Sequence, residues 1–312
     1  MAEKDITQKT FMALNDVFAD IFNVLVFRGN KVVAEKNLEE KTGFSQYKAL
    51  DGVLHEQERD VFKHWNGNGF HLALAGIENQ TIPNKDMPFR IIGYDGAAYR
   101  SQLLATEDTE EENAGRKEAA NRYPVVTIVL YFGKAHWNYP KSLKESFYPP
   151  LPQGEIGQIL EEYIQDYKVH IFDIPRLPKE VVAKFKSDFK VVAEYFTNVY
   201  TNPDYTPTGD KIRHVDEFLK VMRALTGDNR YESIAFSEEE KKEGIDMCRV
   251  LDYREARGEA RGIQMGIEQG IERERLKGIC NLMKNLSLST EQAMEALGIP
   301  VKEQEKYRLL LQ

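Results

Sequence analysis

The sequence predicts an α/β fold for residues 1–235 and a helical C-terminal module for residues 236–312. Two observations predict the α/β part. Helical segments alternate with strand-like segments, and residues 124–132 form a β-branched run typical of a strand that is buried on both faces. A glycine repeat with a four-residue period indicates the helical module. A chain of 312 residues is long enough for one domain with an appendage or for two domains.

An amphipathic helix is predicted near the N-terminus, over residues 10–27. Its apolar side chains follow the i, i+3/i+4 spacing, and Arg28-Gly29-Asn30 supplies a C-terminal stop. The opposite face is polar and carries Asn15, Asp16, Asp20 and Asn23. The helix therefore has one face for packing and one polar face.

Two strand-like segments, residues 59–65 and 69–79, follow this helix. The link Asn66-Gly67-Asn68-Gly69 suits a hairpin turn, because Asn and Gly tolerate a positive φ. A second helix is predicted over residues 88–104, where a proline occupies the start, and the β-branched strand comes after it. The predicted core order is helix, strand, strand, helix, strand, with one further strand around residues 53–55.

The next part of the chain predicts one strand and two helices. The strand covers residues 169–174, and a continuous amphipathic helix covers residues 179–200. A shorter helix is expected over residues 210–225. The helix over 179–200 carries a local basic strip made of Lys184, Lys186 and Lys190.

The C-terminal module is predicted to begin with a long helix. Ser237 and Glu240 have the spacing of a capping box that opens it. Glycine recurs at positions 258, 262, 266 and 270, and again at 278. Each glycine weakens a helix by about 1 kcal/mol relative to alanine, but small residues allow two helices to pack closely. A second copy of the chain is the preferred partner, and a solvated linker helix is the alternative.

Two short helices are predicted at the end of the module, over residues 287–311. Ser289 is the expected N-cap of the first, and Gly298-Ile299-Pro300 is the break between them. The pair is similar to a small helix-turn-helix, but glutamates stand among the basic residues of the second helix. A DNA-reading helix is usually more basic, so oligomerisation is the preferred role of this pair.

Composition argues against several classes of protein. Asp and Glu total 50 against 42 Lys and Arg, a net charge of −8, which argues against a protein that coats nucleic acid by bulk positive charge. The longest apolar run falls far short of the roughly 20 residues that span a bilayer, and the polar N-terminus is unlike a secretory signal. Cys248 and Cys280 form no CxxC motif, so a structural disulfide or zinc site is not expected. The expected compartment is a reducing cytoplasm.

Two acids and an amide on the central strands are candidate metal-site residues. Asp60 and Glu78 fall on neighbouring strands of the predicted hairpin, and Gln80 shares a strand face with Glu78 because side chains alternate. Two carboxylates at a strand edge can hold Mg²⁺, or Mn²⁺, while water and a substrate phosphate complete the coordination. This is the minimum for metal-assisted phosphodiester hydrolysis. A single Asp and a single Glu near strand ends are, however, also common without any metal.

Several stretches resemble the Rpn family of recombination-promoting nucleases, also described as putative transposases. They are NDVFADIFN at 15–23, RDVFKHW at 59–65, GIENQTIPNKDMPFRIIGYDGAAYRSQL at 76–103, YPVVTIVLYFG at 123–133 and the glycine-repeat tail. The resemblance covers most of the chain. It implies a PD-(D/E)xK nuclease core, a mixed sheet flanked by helices, with Asp60 as the core aspartate and Glu78 as the second metal carboxylate.

Gln80 stands where the wider PD-(D/E)xK superfamily has lysine. Glutamine can hydrogen-bond a water or a phosphate, but it supplies no positive charge and cannot deprotonate. Arg90 is therefore the nearest candidate to hold a substrate phosphate, with Tyr94 one helical turn on and Arg100 as a weaker candidate. Packing within the second helix is the equal alternative for Arg90 and Tyr94.

The resemblance also implies an acid from the first helix near the metal. Asp16 and Asp20 both lie on the polar face of this helix, four residues apart. Asp20 is the preferred candidate for this role. Many family members carry a lysine shortly after the N-terminal NDxF pattern. Ala19 follows Phe18 here, so any role of that lysine is absent.

The resemblance implies a Mg²⁺-dependent DNA endonuclease linked to recombination, mobile elements or phage defence. DNA, a second copy of the chain and a separately made C-terminal fragment starting at Met222, Met247 or Met265 are the expected partners. A catalytically degenerate DNA-binding or regulatory protein on the same fold is the alternative, and a self-associating scaffold is a third hypothesis. Because the chain is acidic, we expect weak, salt-sensitive DNA binding that depends on metal, a local basic strip or a second subunit.

Overall fold

The structure is a computed structural model that describes residues 9–40, 44–48, 54–58, 61–67, 70–110, 122–202 and 205–311. For residues 44–48, 54–58, 67, 70–79, 104–110, 257, 260 and 261 it describes the backbone alone. The chain forms two compact units, Met1–Val250 and Leu251–Gln312. The boundary predicted from the sequence, after residue 235, lies N-terminal to this division.

Helices and short strands alternate along the first unit. In chain order they are α1 (Asn15–Leu25), β1 (Leu38–Glu40), β2 (Phe44–Lys48), β3 (Leu54–Glu58), β4 (Lys63–Gly67), β5 (Phe70–Gln80), α2 (Met87–Glu110), β6 (Val125–Tyr131), α3 (Glu155–Tyr163), β7 (His170–Asp173), α4 (Lys179–Val182), α5 (Phe189–Val199), β8 (Lys211–Ile212), α6 (Val215–Thr226), α7 (Glu238–Glu243) and β9 (Ile245–Asp246). The predicted mixture of helices and strands is therefore confirmed.

A five-stranded mixed sheet organises these elements, in the order β1-β4-β5-β6-β7. The pairs β1–β4 and β4–β5 are antiparallel, whereas β5–β6 and β6–β7 are parallel. The predicted hairpin is confirmed, because Gly67 and Phe70 are paired at its turn. Strand β4 begins at Lys63, whereas the sequence placed the strand start at residue 59. Strands β2 and β3 form a separate two-stranded sheet.

Strand β6 is deeply buried in the sheet. Ile128, Val129, Leu130 and Tyr131 are consecutive, and all are at most 1% exposed, so both faces of the strand are covered, as the β-branched run predicted. On one face Val129 and Tyr131 pack in a cluster with residues of α2. Directly after the strand, Phe132 contacts two aromatic rings of α5.

The predicted continuous helix over residues 179–200 is wrong. The chain forms two helices, α4 and α5, separated by residues 183–188. Tertiary hydrogen bonds hold this break: Asp20 of α1 accepts from the backbone N–H groups of Lys186 and Ser187 at 2.6 and 2.7 Å. Asp188 in turn accepts from the backbone of residues 213 and 214. The periodicity of apolar residues could not reveal the break, because the break depends on hydrogen bonds with residues distant in sequence.

Other helix boundaries also differ from the prediction. Residues 9–12 are already helical, and the helix predicted over residues 10–27 is interrupted before α1 begins at Asn15, because Leu14 has an extended ψ of 130°. The Ser237–Glu240 capping box is confirmed, but it opens the short helix α7 rather than the long one. Gly244 ends α7 at a φ of +90°, and the long helix α8 (Met247–Leu286) begins three residues later.

The second unit contains most of α8 and two short helices, α9 (Thr290–Ala296) and α10 (Val301–Leu310). Ser289 caps α9 together with Gln292, which confirms the predicted N-cap. A small core holds the three helices together and consists of Ile279, Ala293, Met294, Ile299 and Tyr307. Arg275 of α8 donates a 2.6 Å hydrogen bond to Glu303 of α10. In neither unit does the described chain include a helix long and apolar enough to cross a membrane.

We expect the Asp188→Ala substitution to destabilise the first unit by about 2 to 3 kcal/mol, because it leaves two inward-facing backbone N–H groups without their charged acceptor. Asp188 is only 5% exposed and accepts at 2.7 to 3.1 Å. Urea unfolding of the purified variant measures the loss.

The matched control is Asp216→Ala. Asp216 is exposed and pairs with Lys241 at 2.9 Å, an arrangement that contributes less than about 1 kcal/mol. Equal losses in the two variants would contradict the structural role of Asp188.

Candidate functional site

The carboxyl ends of three parallel strands meet at one edge of the sheet. Gln80 is the last residue of β5 and is in register with Tyr131 of β6, which is in register with Asp173 of β7. The backbone of Glu78 is in register with Val129. In open sheets with parallel strands, ligands bind where the carboxyl ends of the strands lead into loops. Glu78 and Gln80 therefore occupy a position suited to a site.

Asp60, the predicted core aspartate, lies outside the residues that the structure describes. The β4–β5 pairing nevertheless relates its sequence position to that of Glu78. Lys63 pairs with Leu74, Asp60 precedes Lys63, and Glu78 follows Leu74. The described pairing ends at Lys63 and Leu74, so the proximity of Asp60 and Glu78 stays a prediction.

Asp173 connects the loops at this edge of the sheet. Its carboxylate lies 2.7 Å from Nδ1 of His136 and accepts a 2.9 Å hydrogen bond from the Arg176 guanidinium. Arg176 also donates to the backbone oxygens of Gly133 and Lys134, which follow β6. Sequence reasoning missed Asp173 and Arg176. An acid and an arginine three residues apart at the end of a predicted strand were the available signal.

Helix α2 places Arg90 and Tyr94 beside the sheet. Arg90 donates a 2.9 Å hydrogen bond to the Tyr94 hydroxyl, and Tyr94 is buried in the cluster that includes Val129 and Tyr131. Packing thus accounts for Tyr94, which holds the Arg90 guanidinium in one orientation. Arg100 is exposed further along the helix. Substrate binding by these three residues stays a prediction.

The buried carboxylate of Asp95 fixes α2 to the sheet. It is 3% exposed and accepts hydrogen bonds from the hydroxyls of Thr127 on β6 and Tyr167 before β7. Hydrogen bonds to a charged acceptor are the stronger kind. The helix that carries Arg90 is therefore held against β6, the strand that pairs with β5, where Glu78 and Gln80 lie.

A cavity of about 950 Å³ lies beside the polar face of α1. Its walls come from α1, from residues 29–36, from residues 184–188 and from Lys211 and Arg213. The polar face that the sequence identified therefore lines an open space. Six cationic side chains border it: Lys31, Lys36, Lys184, Lys186, Lys211 and Arg213.

Three of the four acids that line this cavity, Asp16, Asp20 and Asp188, are occupied by internal partners, whereas Glu35 is exposed. Asp16 lies 3.0 Å from Nε2 of His214 and 3.2 Å from the Arg213 guanidinium. Asp20 accepts from the two backbone N–H groups in the break between α4 and α5. The predicted metal role of Asp20 stays a prediction, and its Oδ2 already has this structural function.

Lys63 joins the cavity wall to the central sheet. Its ammonium group is buried and donates to Asn15 Oδ1 at 2.6 Å and to Glu40 at 3.3 Å. Burial lowers the pKa of Lys63 below its ordinary value, and the hydrogen bond and negative charge of Glu40 partly offset this effect. Asn15 itself lines the cavity. The strand that follows Asp60 in sequence is thus tied to this cavity.

The residues proposed to bind metal have a suitable chemistry, because Mg²⁺ prefers hard oxygen ligands such as carboxylates. Asp60 and Glu78 supply two such groups, and Gln80 supplies an amide oxygen. Among the side chains that the structure describes, no group of three or more His, Cys, Asp or Glu could hold a metal ion. Asp60 and the Glu78 side chain are not among these.

Comparison with known proteins gives one match. Residues 61–220 match the family model described as "Putative transposase, YhgA-like". The matched part begins one residue after Asp60 and includes Glu78, Gln80, Arg90 and most of the cavity's cationic residues. Comparisons with curated proteins and with solved structures each found no match.

We expect Lys63 to make folding stability rise with pH in the alkaline range. Its folded pKa is lowered, so between that value and the ordinary value of about 10.4 the unfolded chain binds more protons, and the free energy of unfolding increases with pH. A Lys63→Met variant lacks this contribution. The free energy of unfolding of wild type should therefore increase relative to that of the variant as pH rises toward about 10.

Urea midpoints of the two proteins from pH 7 to pH 10 provide the measurement. Burial raises the pKa of Tyr131, Tyr200 and Tyr205, and these groups lower stability at high pH in both proteins equally. A difference between the two proteins that stays constant with pH would contradict the role of Lys63.

Proposed function

Because the chain belongs to the YhgA-like putative transposase family, we propose that it is a metal-dependent DNA endonuclease of recombination or mobile elements. The family supports the link to mobile elements and nuclease chemistry. The finer proposal is a PD-(D/E)xK core that cuts phosphodiester bonds with Mg²⁺ or Mn²⁺. The observation that carries it is the position of Glu78 and Gln80 at the end of β5, beside parallel strands β6 and β7.

Asp60 and Glu78 would hold the metal, with Asp20 as a further candidate ligand. A bound Mg²⁺ would supply Lewis-acid stabilisation of charge on the scissile phosphate. Gln80 would orient the attacking water through its amide, since it cannot take the proton. Arg90, held by the Tyr94 hydroxyl at 2.9 Å, would bind a phosphate oxygen of the substrate.

A catalytically degenerate DNA-binding protein is the second candidate function. One observation favours it: position 80 holds glutamine, so the charge that lysine supplies in the wider superfamily is missing there. Mn²⁺ titration monitored by electron paramagnetic resonance separates the two candidates. Metal binding that is lost in Glu78→Gln supports the nuclease, and no binding in wild type supports the degenerate protein.

We expect wild-type protein to nick supercoiled plasmid in the presence of Mg²⁺. Asp60→Ala and Glu78→Gln should lower the nicking rate at least about 100-fold, the scale for removing one group that stabilises transition-state charge. Chelation of divalent metal should abolish nicking by wild type. Gel separation of supercoiled, nicked and linear plasmid measures the rates.

The control variant is Asp216→Ala, which removes an exposed acid on α6. Urea midpoints of all variants show whether each one folds. If wild type nicks no faster than folded Asp60→Ala, the nuclease proposal is wrong.

We propose further that the glycine-repeat helix α8 binds a second copy of the chain. Within the described second unit, the side chains of Ile263, Met265, Ile267 and Ile271 are 49 to 65% exposed along this helix. Apart from its chain neighbours and the adjacent backbone of the helix, a Cβ atom added to Gly262, Gly266 or Gly270 would meet no atom within 4 Å. The same surface would accept a separately made C-terminal fragment. The reducing cytoplasm is the proposed compartment, where Cys248 and Cys280 would stay free thiols.

We expect the triple substitution of Gly262, Gly266 and Gly270 by alanine to have opposite effects on helix stability and on association. Each alanine favours the helix by about 1 kcal/mol, and no clash opposes it within one chain. In a dimer with closely packed glycines, the added methyl groups should weaken association at least about tenfold. Analytical ultracentrifugation measures the dimer dissociation constant.

Gln269→Ala in the same helix is the control and should leave the dissociation constant unchanged. A monomeric wild-type protein, or a triple variant that dimerises as tightly as wild type, would contradict glycine-mediated pairing.

A further inference from the structure

We propose that the cavity beside α1 binds the phosphodiester backbone of DNA. The proposal rests on the proposed function, since it assigns the surface that holds the substrate. It concerns residues outside the Asp60, Glu78 and Gln80 group. Three observations carry it: the charge that borders the cavity, the occupation of most of its acids, and its size.

The cations of the cavity come from segments that are far apart in sequence. Lys31 and Lys36 follow α1, Lys186 lies in the break between α4 and α5, and all three are exposed. None of the three side chains forms an ion pair or hydrogen bond with the part of the chain that the structure describes. In a chain with a net charge of −8, three such lysines around one cavity give it a local positive potential.

The fourth lysine, Lys184, is positioned by the backbone. Its ammonium group donates to the carbonyl oxygen of Arg28 at 3.1 Å, and its side chain crosses the turn at Gly29. Gly29 has a φ of +95°, and a Cβ atom there would lie 3.0 Å from Cδ of Lys184. Glycine at this turn thus lets the lysine lie along the cavity wall.

Three of the four acids that line the cavity cancel little of this charge, and the fourth, Glu35, is a single exposed carboxylate among six cations. Asp16 pairs with Arg213 and His214, and Asp20 and Asp188 accept backbone N–H groups. Their carboxylates are therefore directed into the protein's own hydrogen bonds. Lys190, part of the basic strip predicted from the sequence, does not belong to the cavity lining. It pairs with Asp210 at 2.5 Å, and this hydrogen bond raises its pKa.

The size of the cavity fits a polymer better than a single ion. Its volume of about 950 Å³ is about thirty times the volume that one water molecule occupies in the liquid. A single phosphate would contact few of the lysines at once. Successive phosphates of a DNA strand could contact Lys31, Lys36 and Lys186 together, and each contact would release bound counterions from the DNA.

The cavity is also connected to the proposed catalytic segment. Asn15 on its wall accepts the 2.6 Å hydrogen bond from Lys63, which follows Asp60 by three residues. DNA held along the cavity would therefore lie beside the strand that leads to the proposed metal ligand. Such a surface explains how an acidic chain could bind DNA through a local basic area.

The test is a triple variant, Lys31→Gln, Lys36→Gln and Lys186→Gln, compared with wild-type full-length protein. Fluorescence anisotropy with a labelled 30-base-pair duplex is measured with EDTA present, so that cutting does not enter the readout. We expect duplex binding to weaken at least about tenfold at low salt. The slope of log affinity against log salt should become shallower by up to about 2.7, because each phosphate contact contributes about 0.9.

The matched control is Lys168→Gln, Lys220→Gln and Lys242→Gln. These lysines are also exposed and without an ion pair among the described residues, and none of them lines the cavity. The control has the same net charge as the test variant. Urea midpoints equal to that of wild type show that both variants fold.

Three results would overturn the proposal. They are wild-type affinity in the test variant, an equal loss in the control variant, and no duplex binding by wild type. A deoxynucleoside monophosphate serves as a competitor. If it binds as tightly as the duplex and depends on the same lysines, the cavity is a nucleotide site and the proposal is wrong. Lysine-dependent duplex binding without any nicking activity would instead keep this inference and reject the nuclease.

Discussion

The polar face of the first helix is the constraint on which much of the first unit depends. This face carries Asn15, Asp16, Asp20 and Asn23. Each of them forms a hydrogen bond either with a neighbouring loop or with a segment distant in the chain. Asn23, for example, accepts from the backbone of residues 32 and 33 and donates to the carbonyl oxygen of Val33. Polar groups that lose contact with water must find such partners, since an unpaired buried donor or acceptor costs about 1 to 3 kcal/mol.

These hydrogen bonds decide the shape of the chain at some distance from α1. The break between α4 and α5 exists where Asp20 takes the N–H groups of Lys186 and Ser187. The start of α6 follows the segment that Asp188 and Asp16 hold. Lys186 lies in this break, and Lys31 and Lys36 flank residues 32 and 33, which Asn23 binds. A structural network therefore also determines where positive charge accumulates.

The sheet and the helix α2 were largely predictable, because local patterns encode them. The β-branched run at 124–132 became the buried strand β6, and the segments on either side of the Asn-Gly link became the paired strands β4 and β5. Glu78 and Gln80 were predicted on one strand and lie on β5. Tyr94 was predicted as either a packing or a binding residue; it packs in a buried cluster, and its binding role stays a prediction. Its neighbour Asp95 was not predicted, since nothing in a helical pattern marks an acid that binds Thr127 and Tyr167.

The sequence by itself determined the α/β class, the hairpin, the capping box at Ser237, the N-cap at Ser289, and the resemblance that the family match at residues 61–220 supports. These features depend on local spacing and on motifs that can be read along the chain. Only the tertiary structure decided that residues 179–200 form two helices and that lysines from separate segments border one cavity. The physical reason is that both depend on hydrogen bonds between residues more than 150 positions apart, such as Asp20 and Lys186.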